Sequence, residues 1–452
     1  MSDLVQQLGG FVAPDGILDG DGRGREPTPE ELERHIVAPG TDAHLPCAIE
    51  YQAPWDVLED GLARHARAQV RALARTGLPV VLRRLSRPKF MMEDDVDARV
   101  RASVGYLRDT TAGSVPIAIR QLVIHSATFL ENTIAPPGAR LSGFDDEIKV
   151  YGSTIIYTPW ERTTVAPAIV EVLNRCAETW VHGEWVVDIF KRAGVKRVYA
   201  IPVAFDPDTS LTSHISAPRG SEKVPSGKRF YAIGKWEPRK NYHALIGAFL
   251  QEFSPKERSS LFIKTYEWGS WDGYPSVGES IAYWLAQPEV QANGWTAANH
   301  TRLLRVLSDK ISDVAIAQLH RDNNLYVTCS HGEAWDMPAF EARSAGNRMV
   351  YTGWSGPTDF AGEGDESIWY GLSRAEPVHP GYGWEPEATW ASCGVGLIRR
   401  ALRNAQPPER RVHPPELYPR FGLGPVGAQM AARIQERFPE VYEKLVKVGG
   451  FG

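Results

Sequence analysis

Several features that mark particular classes of protein are scarce in this sequence of 452 residues. No apolar run approaches the roughly 18 to 20 residues that a membrane-spanning helix needs. The first residues, MSDLVQQLGGFVAPDG, contain neither the basic nor the apolar region of a signal peptide, so we predict a cytoplasmic protein without a membrane span. The four cysteines are widely spaced and show no metal-binding or disulfide pattern, which predicts free thiols in a reducing compartment; they are Cys47, Cys176, Cys329 and Cys393.

An excess of one charge is also missing. The formal net charge of -5 gives no general attraction to nucleic acid or to anionic membranes. The acidic pairs at 94–95 and 145–146 are isolated, which is typical of a solvated surface rather than of a metal site. With 43% hydrophobic and 23% charged residues the chain has the composition of a soluble globular protein, and its length predicts two or more domains.

What the sequence does contain is a repeated alternation of short apolar runs with helical patterns. Residues 46–51 form a β-type run, residues 58–73 carry apolar side chains at helical spacing, and residues 80–82 form the next β-type run. Such a unit implies a parallel sheet. The alternation resumes at residue 230, after a stretch rich in Pro, Ser and Gly.

We therefore predict an α/β protein made of successive segments. They are an irregular lead-in at 1–43, an N-terminal domain at 44–205, a linker at 206–228, a C-terminal domain at 229–428 and a terminal helix at 429–452. Apolar residues between Ile434 and Leu445 have the spacing of a single helix over 428–448, and another helix is predicted over 389–405. The aromatic segment at 266–300 is interpreted as an insertion or a cap.

Two glutamates lie eight positions apart, after a predicted strand. The apolar run at 325–329 stops at a turn, Glu333 follows in the loop, and Glu341 lies one turn inside a helix that opens with Pro338. In a parallel sheet, ligands bind at the carboxyl ends of strands, beside helix N-termini. Both carboxylates can therefore reach one ligand.

A second segment has the features of an anion site. The predicted strand at 230–233 ends at Gly234, and Lys235 and Lys240 follow before a helix over 242–253. Backbone N–H groups and ammonium groups that converge on a helix entrance suit a phosphate. The alternative is an ordinary solvated basic loop.

Taken together, the two segments resemble the sugar-nucleotide site of retaining glycosyltransferases of the GT-B fold, the group 1 or family 4-like enzymes. The family pattern is Glu, Gly, aromatic, Gly, Leu, Pro and a second Glu eight positions after the first. Here it is represented by Glu333, Ala334, Trp335, Asp336, Met337, Pro338 and Glu341. Two residues, Ala334 and Asp336, replace the glycines of the pattern.

The resemblance implies two Rossmann-like, doubly wound domains that face each other across a cleft, with the terminal helix crossing back to the N-terminal domain. It implies that Lys235 and Lys240 stabilise the leaving diphosphate in place of a metal ion, so neither metal nor cofactor is expected. Glu333 would contact the donor sugar as a catalytic residue, and Glu341 would hold the ribose hydroxyls. The remaining donor-binding residues implied are Gly332, Trp335, Asp336 and Met337.

Residues of the acceptor side are also implied. Gly61 and His65 resemble the first turn of the family's acceptor-side helix, and Trp160-Glu161 would line the acceptor cleft, although structural packing is the favoured role for Trp160. His125 follows a predicted strand at 121–126, as does a histidine near the transferred sugar in the family. A structural hydrogen-bonding role is the alternative for His125.

The function implied is retaining transfer of a hexose-type sugar from a UDP- or GDP-sugar, such as UDP-glucose, to a hydroxyl of a glycan, lipid or small molecule. Three alternatives stay open. One is a GT-B protein that binds a sugar nucleotide without transferring it, and another is a GT-B phosphorylase or epimerase. The third glycosylates a hydroxymethylated DNA base through the Arg-rich residues 83–89, so nucleic acid is possible only as acceptor. The sequence leaves the oligomeric state open.

Overall fold

The computed structural model describes residues 12–13, 16–18, 24–25, 44–53, 61–84, 111–112, 114–124, 126–134, 149–205, 222–223, 225–267, 273–309, 311–375, 387–412 and 414–449. The predicted site residue His125 lies outside these ranges. Among the described residues, no helix is long and apolar enough to span a membrane. The chain divides into two compact units, one formed by Met1–Pro159, Val165–Asp206 and Glu416–Gly452, the other by Trp160–Thr164 and Pro207–Pro415.

Short strands and helices alternate along the described chain. The strands are β1 (Val12–Ala13), β2 (Gly16–Leu18), β3 (Gly24–Arg25), β4 (His44–Leu45), β5 (Ile49–Ala53), β6 (Val80–Arg84), β7 (Thr111–Ala112), β8 (Ile117–Gln121), β9 (Thr154–Thr158), β10 (Glu178–Val181), β11 (Val198–Ala200), β12 (Glu222–Lys223), β13 (Lys228–Ile233), β14 (Ser259–Lys264), β15 (Leu304–Leu307), β16 (Leu325–Thr328), β17 (Arg348–Thr352), β18 (Glu366–Ile368), β19 (Gly371–Arg374), β20 (Thr389–Ser392) and β21 (Arg410–Arg411). The α-helices are α1 (Gly61–Ala74), α2 (Ala127–Ile134), α3 (Pro167–Arg175), α4 (Glu184–Ala193), α5 (Tyr242–Glu252), α6 (Val277–Leu285), α7 (Pro288–Ala292), α8 (Asp313–Asp322), α9 (Met337–Ser344), α10 (Val395–Asn404), α11 (Leu417–Phe421), α12 (Leu423–Arg437) and α13 (Pro439–Val448).

The first unit is built on a six-stranded parallel sheet with the strand order β6-β5-β8-β9-β10-β11. Every residue of β9 and β10 is buried, as expected for strands covered on both faces by helices. The chain winds outward in one direction from β5 to β6 and in the other from β8 onward. The sheet therefore has a topological switch point between β5 and β8.

The C-terminal helices complete the core of this first unit. Val426, Met430 and Ile434 of α12 are fully buried in the same core cluster as Val70 and Leu73 of α1. The predicted single helix over 428–448 is wrong, because the helix ends at Arg437 and a new one begins at Pro439. Proline has no N–H to continue the hydrogen-bond ladder, so it starts a helix more readily than it extends one.

The second unit contains the other six-stranded sheet, again all parallel, with the order β15-β14-β13-β16-β17-β18. This is the strand order of the dinucleotide-binding Rossmann fold, and its switch point lies between β13 and β16. Antiparallel pairs β12-β21 and β19-β20 accompany it. The predicted α/β fold with two Rossmann-like domains is confirmed.

One predicted element of the second unit is wrong. The predicted helix over 389–405 divides at Gly394, with strand β20 before it and α10 after it. Trp284 and Trp295 of the 266–300 segment serve packing, whereas Tyr266 and Tyr283 are exposed. Trp295 is 1% exposed and donates its indole N–H to the Phe253 carbonyl at 2.7 Å. Trp284 fills the space over Gly247, where a Cβ atom would lie 2.3 Å from its ring. These side chains belong to the core.

Candidate functional site

The candidate site lies at the switch point of the second sheet. Strands β13 and β16 are parallel neighbours there, and ligands of open α/β sheets bind in the crevice outside the carboxyl ends of such strands. The loop after β13 leads into α5, and the loop after β16 leads into α9. Both segments singled out in the sequence therefore reach the same edge of one sheet.

Four charged side chains from these loops form a connected cluster. The Lys240 ammonium lies 2.5 Å from one carboxylate oxygen of Glu333, and the Arg239 guanidinium lies 2.9 Å from the other. Arg239 also contacts Glu237 at 2.6 Å and Glu161 at 3.1 Å. Its fourth partner is the carbonyl of Gly332, to which it donates at 2.6 Å. Arg239 is therefore the centre of the cluster, and Glu333 bridges both cations.

The loop after β13 is held in position by a left-handed residue. Lys240 ends a short 3-10 turn, and Asn241 follows with a φ of 58° as the N-cap of α5. Asparagine tolerates this conformation better than other residues with a Cβ atom. Its side-chain amide donates to the Cys393 carbonyl at 3.1 Å. Lys240 is thus fixed by backbone geometry immediately before the helix begins.

The loop after β16 is held from two sides. The Glu333 N–H donates to the Ser355 hydroxyl at 3.0 Å, and its carbonyl accepts the Gly356 N–H at 2.9 Å. A Cβ atom at Gly332 would lie 2.4 Å from the Glu161 carbonyl oxygen, so this close approach requires glycine. The backbone around Glu333 is thereby determined by its neighbours.

Backbone strain concentrates here. The described residues include three non-glycine residues with positive φ, namely Asn241, Asp336 and Ser355, at 58°, 73° and 67°. Each flanks or contacts the charged cluster, and such strain is retained mainly where the surrounding structure fixes it at functional sites.

Asp336 stands where the pattern that this sequence resembles has a glycine. It is the N-cap of α9, and one carboxylate oxygen accepts the Ala339 N–H at 3.3 Å. Its left-handed backbone is the conformation that glycine adopts without cost, and aspartate is among the few other residues that enter it readily. The side chain is 5% exposed, so the cap places a buried carboxyl group beside Lys240 and Glu333.

The cluster drives the pKa values of its two acidic centres apart. Burial raises the pKa of Glu333, but the guanidinium of Arg239 and the ammonium of Lys240 outweigh it and lower the pKa to about 2. Burial and the neighbouring Glu333 raise the pKa of Asp336 to about 6. Burial lowers the pKa of Lys240, but the carboxylates of Glu333 and Asp336 raise it above its ordinary value. Near neutral pH, Glu333 is ionised and Lys240 is an ammonium group.

The other predicted donor-binding residues occupy different surroundings. Glu341 is 3% exposed on α9, with a carboxylate oxygen 3.9 Å from Nε2 of His320. Trp335 is buried against the rings of Phe340 and Phe360, so its described contacts are those of a core residue. Lys235 and Met337 are partly buried, in the loop after β13 and at the first position of α9.

Sequence reasoning missed Arg239, Glu237 and the role of Ser355. The signal for Arg239 was its place directly before Lys240 at a helix entrance, where two cations in succession suit one anion. Ser355 lies 22 residues after Glu333, and nothing in the spacing indicates their contact.

The predicted acceptor-side residues separate between the units. Trp160 and Glu161 belong to the second unit, although their position in the sequence suggested the N-terminal domain. Trp160 is buried, donates to the Thr164 carbonyl at 3.0 Å and stacks with Arg162 at 4.3 Å, whereas Glu161 joins the Arg239 cluster. Burial and Glu333 raise the pKa of Glu161, while Arg239 opposes the shift.

In the first unit, Gly61 is the exposed first residue of α1, and His65 is 2% exposed. Nδ1 of His65 lies 2.8 Å from the Gln121 amide and Nε2 lies 3.1 Å from the Tyr157 hydroxyl. Burial and the adjacent His182 ring lower the pKa of His65 well below its ordinary value. His65 is thus a neutral member of a buried network, and an acceptor role for it stays a prediction.

No group of three or more His, Cys, Asp and Glu side chains in the described part of the chain is arranged to hold a metal ion. The positive charges of the site come from Arg239 and Lys240.

Comparison with known proteins identifies the fold. No protein-family model matches the chain, and no curated protein matches its sequence. Among solved structures, the chain is similar to the apo form of the lipopolysaccharide outer core galactosyltransferase WaaB, with a TM-score of 0.51 and 11% identity over 87% of this chain and 100% of that one. The chain therefore has the GT-B fold.

Other solved structures are similar at lower scores. E. coli trehalose-6-phosphate synthase bound with UDP-2-fluoro glucose has a TM-score of 0.46 and 11% identity, over 90% of this chain and 97% of that one. A variant of S. aureus TarM, in complex with fondaparinux, α-GlcNAc-glycerol and UDP, has a TM-score of 0.40 and 13% identity over 75% of this chain. The present chain spans 55% of TarM.

Proposed function

We propose that this chain is a glycosyltransferase that moves a hexose-type sugar from a nucleoside-diphosphate sugar to a hydroxyl acceptor, with retention of configuration. The observation that carries the proposal is the pair of adjacent cations, the partly buried Arg239 and the buried Lys240, at the switch point of a Rossmann-like sheet and at the entrance of a helix. Cations and helix N-termini at this place suit a diphosphate. The GT-B fold shared with WaaB, which is a galactosyltransferase, supports a sugar as the group transferred.

The charges of the cluster suit the two ends of a donor. A departing diphosphate gains negative charge, and preorganised cations stabilise it in the transition state. Lys240 is paired with Glu333 at 2.5 Å, so an incoming diphosphate competes with this carboxylate for the ammonium group. Once displaced, the ionised Glu333 is available to the sugar, whose reacting carbon gains positive charge. The Lys240–Glu333 ion pair is thereby replaced by two contacts, one between Lys240 and the diphosphate and one between Glu333 and the sugar.

The remaining roles follow from the resemblance. Glu341 on α9 would accept hydrogen bonds from the ribose hydroxyls, and the α9 N-terminus would face the donor. A hydroxyl of a glycan, lipid or small molecule would be the acceptor. With cations supplied by side chains, the transfer would proceed without a bound metal ion.

Donor binding is tested by the thermal stability of the protein with UDP-glucose, UDP-galactose, UDP-N-acetylglucosamine and GDP-mannose. A donor at 100 times its Kd stabilises the folded state by about 2.7 kcal/mol. We expect one of these donors to raise the Tm of the wild type. The Lys240→Met variant should weaken that donor about tenfold or more, because a charge-assisted hydrogen bond to phosphate is lost.

Lys228→Met is the matched control. Lys228 is a partly buried lysine of the same unit, at the opposite end of β13, where it donates to the carbonyl of Leu402 at 3.4 Å. The Lys228→Met substitution should leave donor affinity unchanged. Glu333 keeps its contact with Arg239 in the Lys240→Met variant, so the variant should fold, which its melting without ligand verifies. Failure of all four donors to stabilise the wild type, or equal losses in both variants, would contradict the proposal.

A further inference from the structure

A buried chain of polar groups leads from strand β13 to Glu341. The Asn347 amide donates to the Tyr231 hydroxyl oxygen at 2.8 Å, and the Tyr231 hydroxyl lies 2.7 Å from Nδ1 of His320. Nε2 of His320 lies 3.9 Å from a carboxylate oxygen of Glu341. The first three side chains are 1% exposed or less and Glu341 is 3% exposed. The four side chains therefore interact where water has almost no access, and Glu341 is the most exposed of them.

The hydrogen bonds in this chain have a direction. The Tyr231 oxygen accepts a hydrogen bond from the Asn347 amide, so the hydroxyl donates its own hydrogen to Nδ1 of His320, since a buried hydroxyl left without an acceptor would be costly. Burial raises the pKa of Tyr231, which keeps this hydroxyl a donor. A neutral imidazole that accepts at Nδ1 carries its proton at Nε2. The network thus assigns an N–H group to the nitrogen that faces Glu341.

The ring of His320 cannot easily turn away. It packs edge-on to Tyr231, with ring centroids 5.5 Å apart at an interplanar angle of 79°. The Asn347 amide also donates to the backbone carbonyl of His320 at 2.7 Å, which holds the end of α8 in place. Ring orientation and tautomer are therefore both fixed from the side opposite Glu341.

We propose that His320 is a positioning residue that orients the Glu341 carboxylate toward the ribose hydroxyls of the donor. At 3.9 Å the contact is electrostatic, so it orients the carboxylate without occupying a lone pair as a hydrogen bond does. The inference rests on the proposed function, which assigns the ribose to Glu341. Tyr231 and Asn347 then act through His320 and do not touch the ligand.

The test measures discrimination between a ribose with and without its hydroxyls. The Kd values of UDP and 2′,3′-dideoxy-UDP, and of GDP and 2′,3′-dideoxy-GDP, are determined by calorimetry for each variant. In the wild type, the preferred nucleotide should bind about tenfold or more tightly than its dideoxy form. Glu341→Gln should bring this ratio close to one.

His320→Phe keeps the ring volume and removes the N–H group. It should lower the ratio about as far as Glu341→Gln does, while the Kd of the dideoxy nucleotide stays near the wild-type value. His320→Gln restores an N–H donor in a similar place and should recover most of the ratio. His243→Phe is the control, because His243 lies in the same unit and contacts Ser280 at 3.1 Å instead.

A wild-type ratio in His320→Phe, with the ratio lost in Glu341→Gln, would overturn the inference and leave the proposed function standing. Absence of nucleotide binding by the wild type would overturn both. If His320→Phe does not fold, Tyr231→Phe gives the answer, because it keeps the ring and removes only the hydroxyl that fixes the tautomer. An undiminished ratio in that variant would count against the inference.

Discussion

Residue 336 is an aspartate whose backbone has a conformation that suits glycine. Asp336 caps α9 with one oxygen, and its φ is 73°. Burial and the charge of Glu333 raise its pKa to about 6, so its ionised form is disfavoured in the folded protein. The Asp336 side chain thus caps the helix, but its ionised form destabilises the folded protein.

Asp336→Asn should stabilise the protein in a pH-dependent way. Because the folded-state pKa of Asp336 lies above its ordinary value of 3.8, the folded state holds this proton more tightly, and stability is lost as pH rises from about 4 to about 6. A shift of about two pKa units corresponds to about 3 kcal/mol. Asparagine keeps the cap and the left-handed backbone but carries no charge.

Urea unfolding of wild type and variant at pH 4.5 and pH 7.5 measures this difference. The variant should be more stable at pH 7.5, and its advantage should largely disappear at pH 4.5. Asp188→Asn, on the exposed face of α4, is the control. An identical difference in unfolding free energy at both pH values would show that Asp336 does not carry the proposed charge cost.

Some of the residues that the sequence placed at one site are in contact in the structure. The resemblance placed Lys240 and Glu333 at one donor site, and they lie in direct contact. Arg239 and Glu161 could not be paired from sequence, because 78 positions separate them and residues 160–164 join the second unit. Contacts of this kind depend on where the chain passes between units, which local patterns do not encode.

At the scale of elements, helices α1 and α12 cross at Gly427 of α12, which has no side chain. A Cβ atom at Gly427 would lie 2.1 Å from the Ala72 carbonyl oxygen. Glycine lets the two helix backbones approach to a distance that alanine prevents. The crossing connects the C-terminal segment to the core of the first unit.

Gly427→Ala should therefore destabilise the protein although alanine is the better helix former. Forcing the helices apart should cost about 1 to 3 kcal/mol. Gly396→Ala in α10 is the matched control, because nothing lies within 4 Å of the added Cβ atom, and it should instead gain about 0.5 kcal/mol. Thermal or urea unfolding of both variants gives the two signs, and a stabilising Gly427→Ala would contradict the described crossing.

Helix ends were predicted well where a proline or glycine interrupts the apolar pattern. They were predicted poorly where the apolar spacing continues across the break. Helix α9 begins at Met337 with Pro338 in its first turn, and a proline at this helix start was predicted. Gly346, with a φ of 78°, follows the end of the helix. Helical spacing continues through Pro439, so the break between α12 and α13 was not visible in the apolar pattern. In the same way, the helical pattern of α10 was extended backwards over β20, so this strand was not predicted.

At the scale of the whole molecule, two Rossmann-like units with different strand orders occur in one chain. The alternation of strands and helices predicted the fold class, because parallel sheets need helical crossovers. It could not predict that β5 adjoins β8 or that β13 adjoins β16, since the same alternation is compatible with several strand orders. These neighbours define the switch points, and only the structure locates them.

The proposed function places the nucleoside-diphosphate sugar at the β13–β16 switch point of the second unit. Hydrogen–deuterium exchange with and without the donor that most stabilises the protein measures this directly. We expect protection from exchange to concentrate in residues 234–241 and 329–339. Protection confined to the opposite edge of the sheet, in residues 225–229 and 254–259, or no protection at a saturating donor concentration, would contradict it.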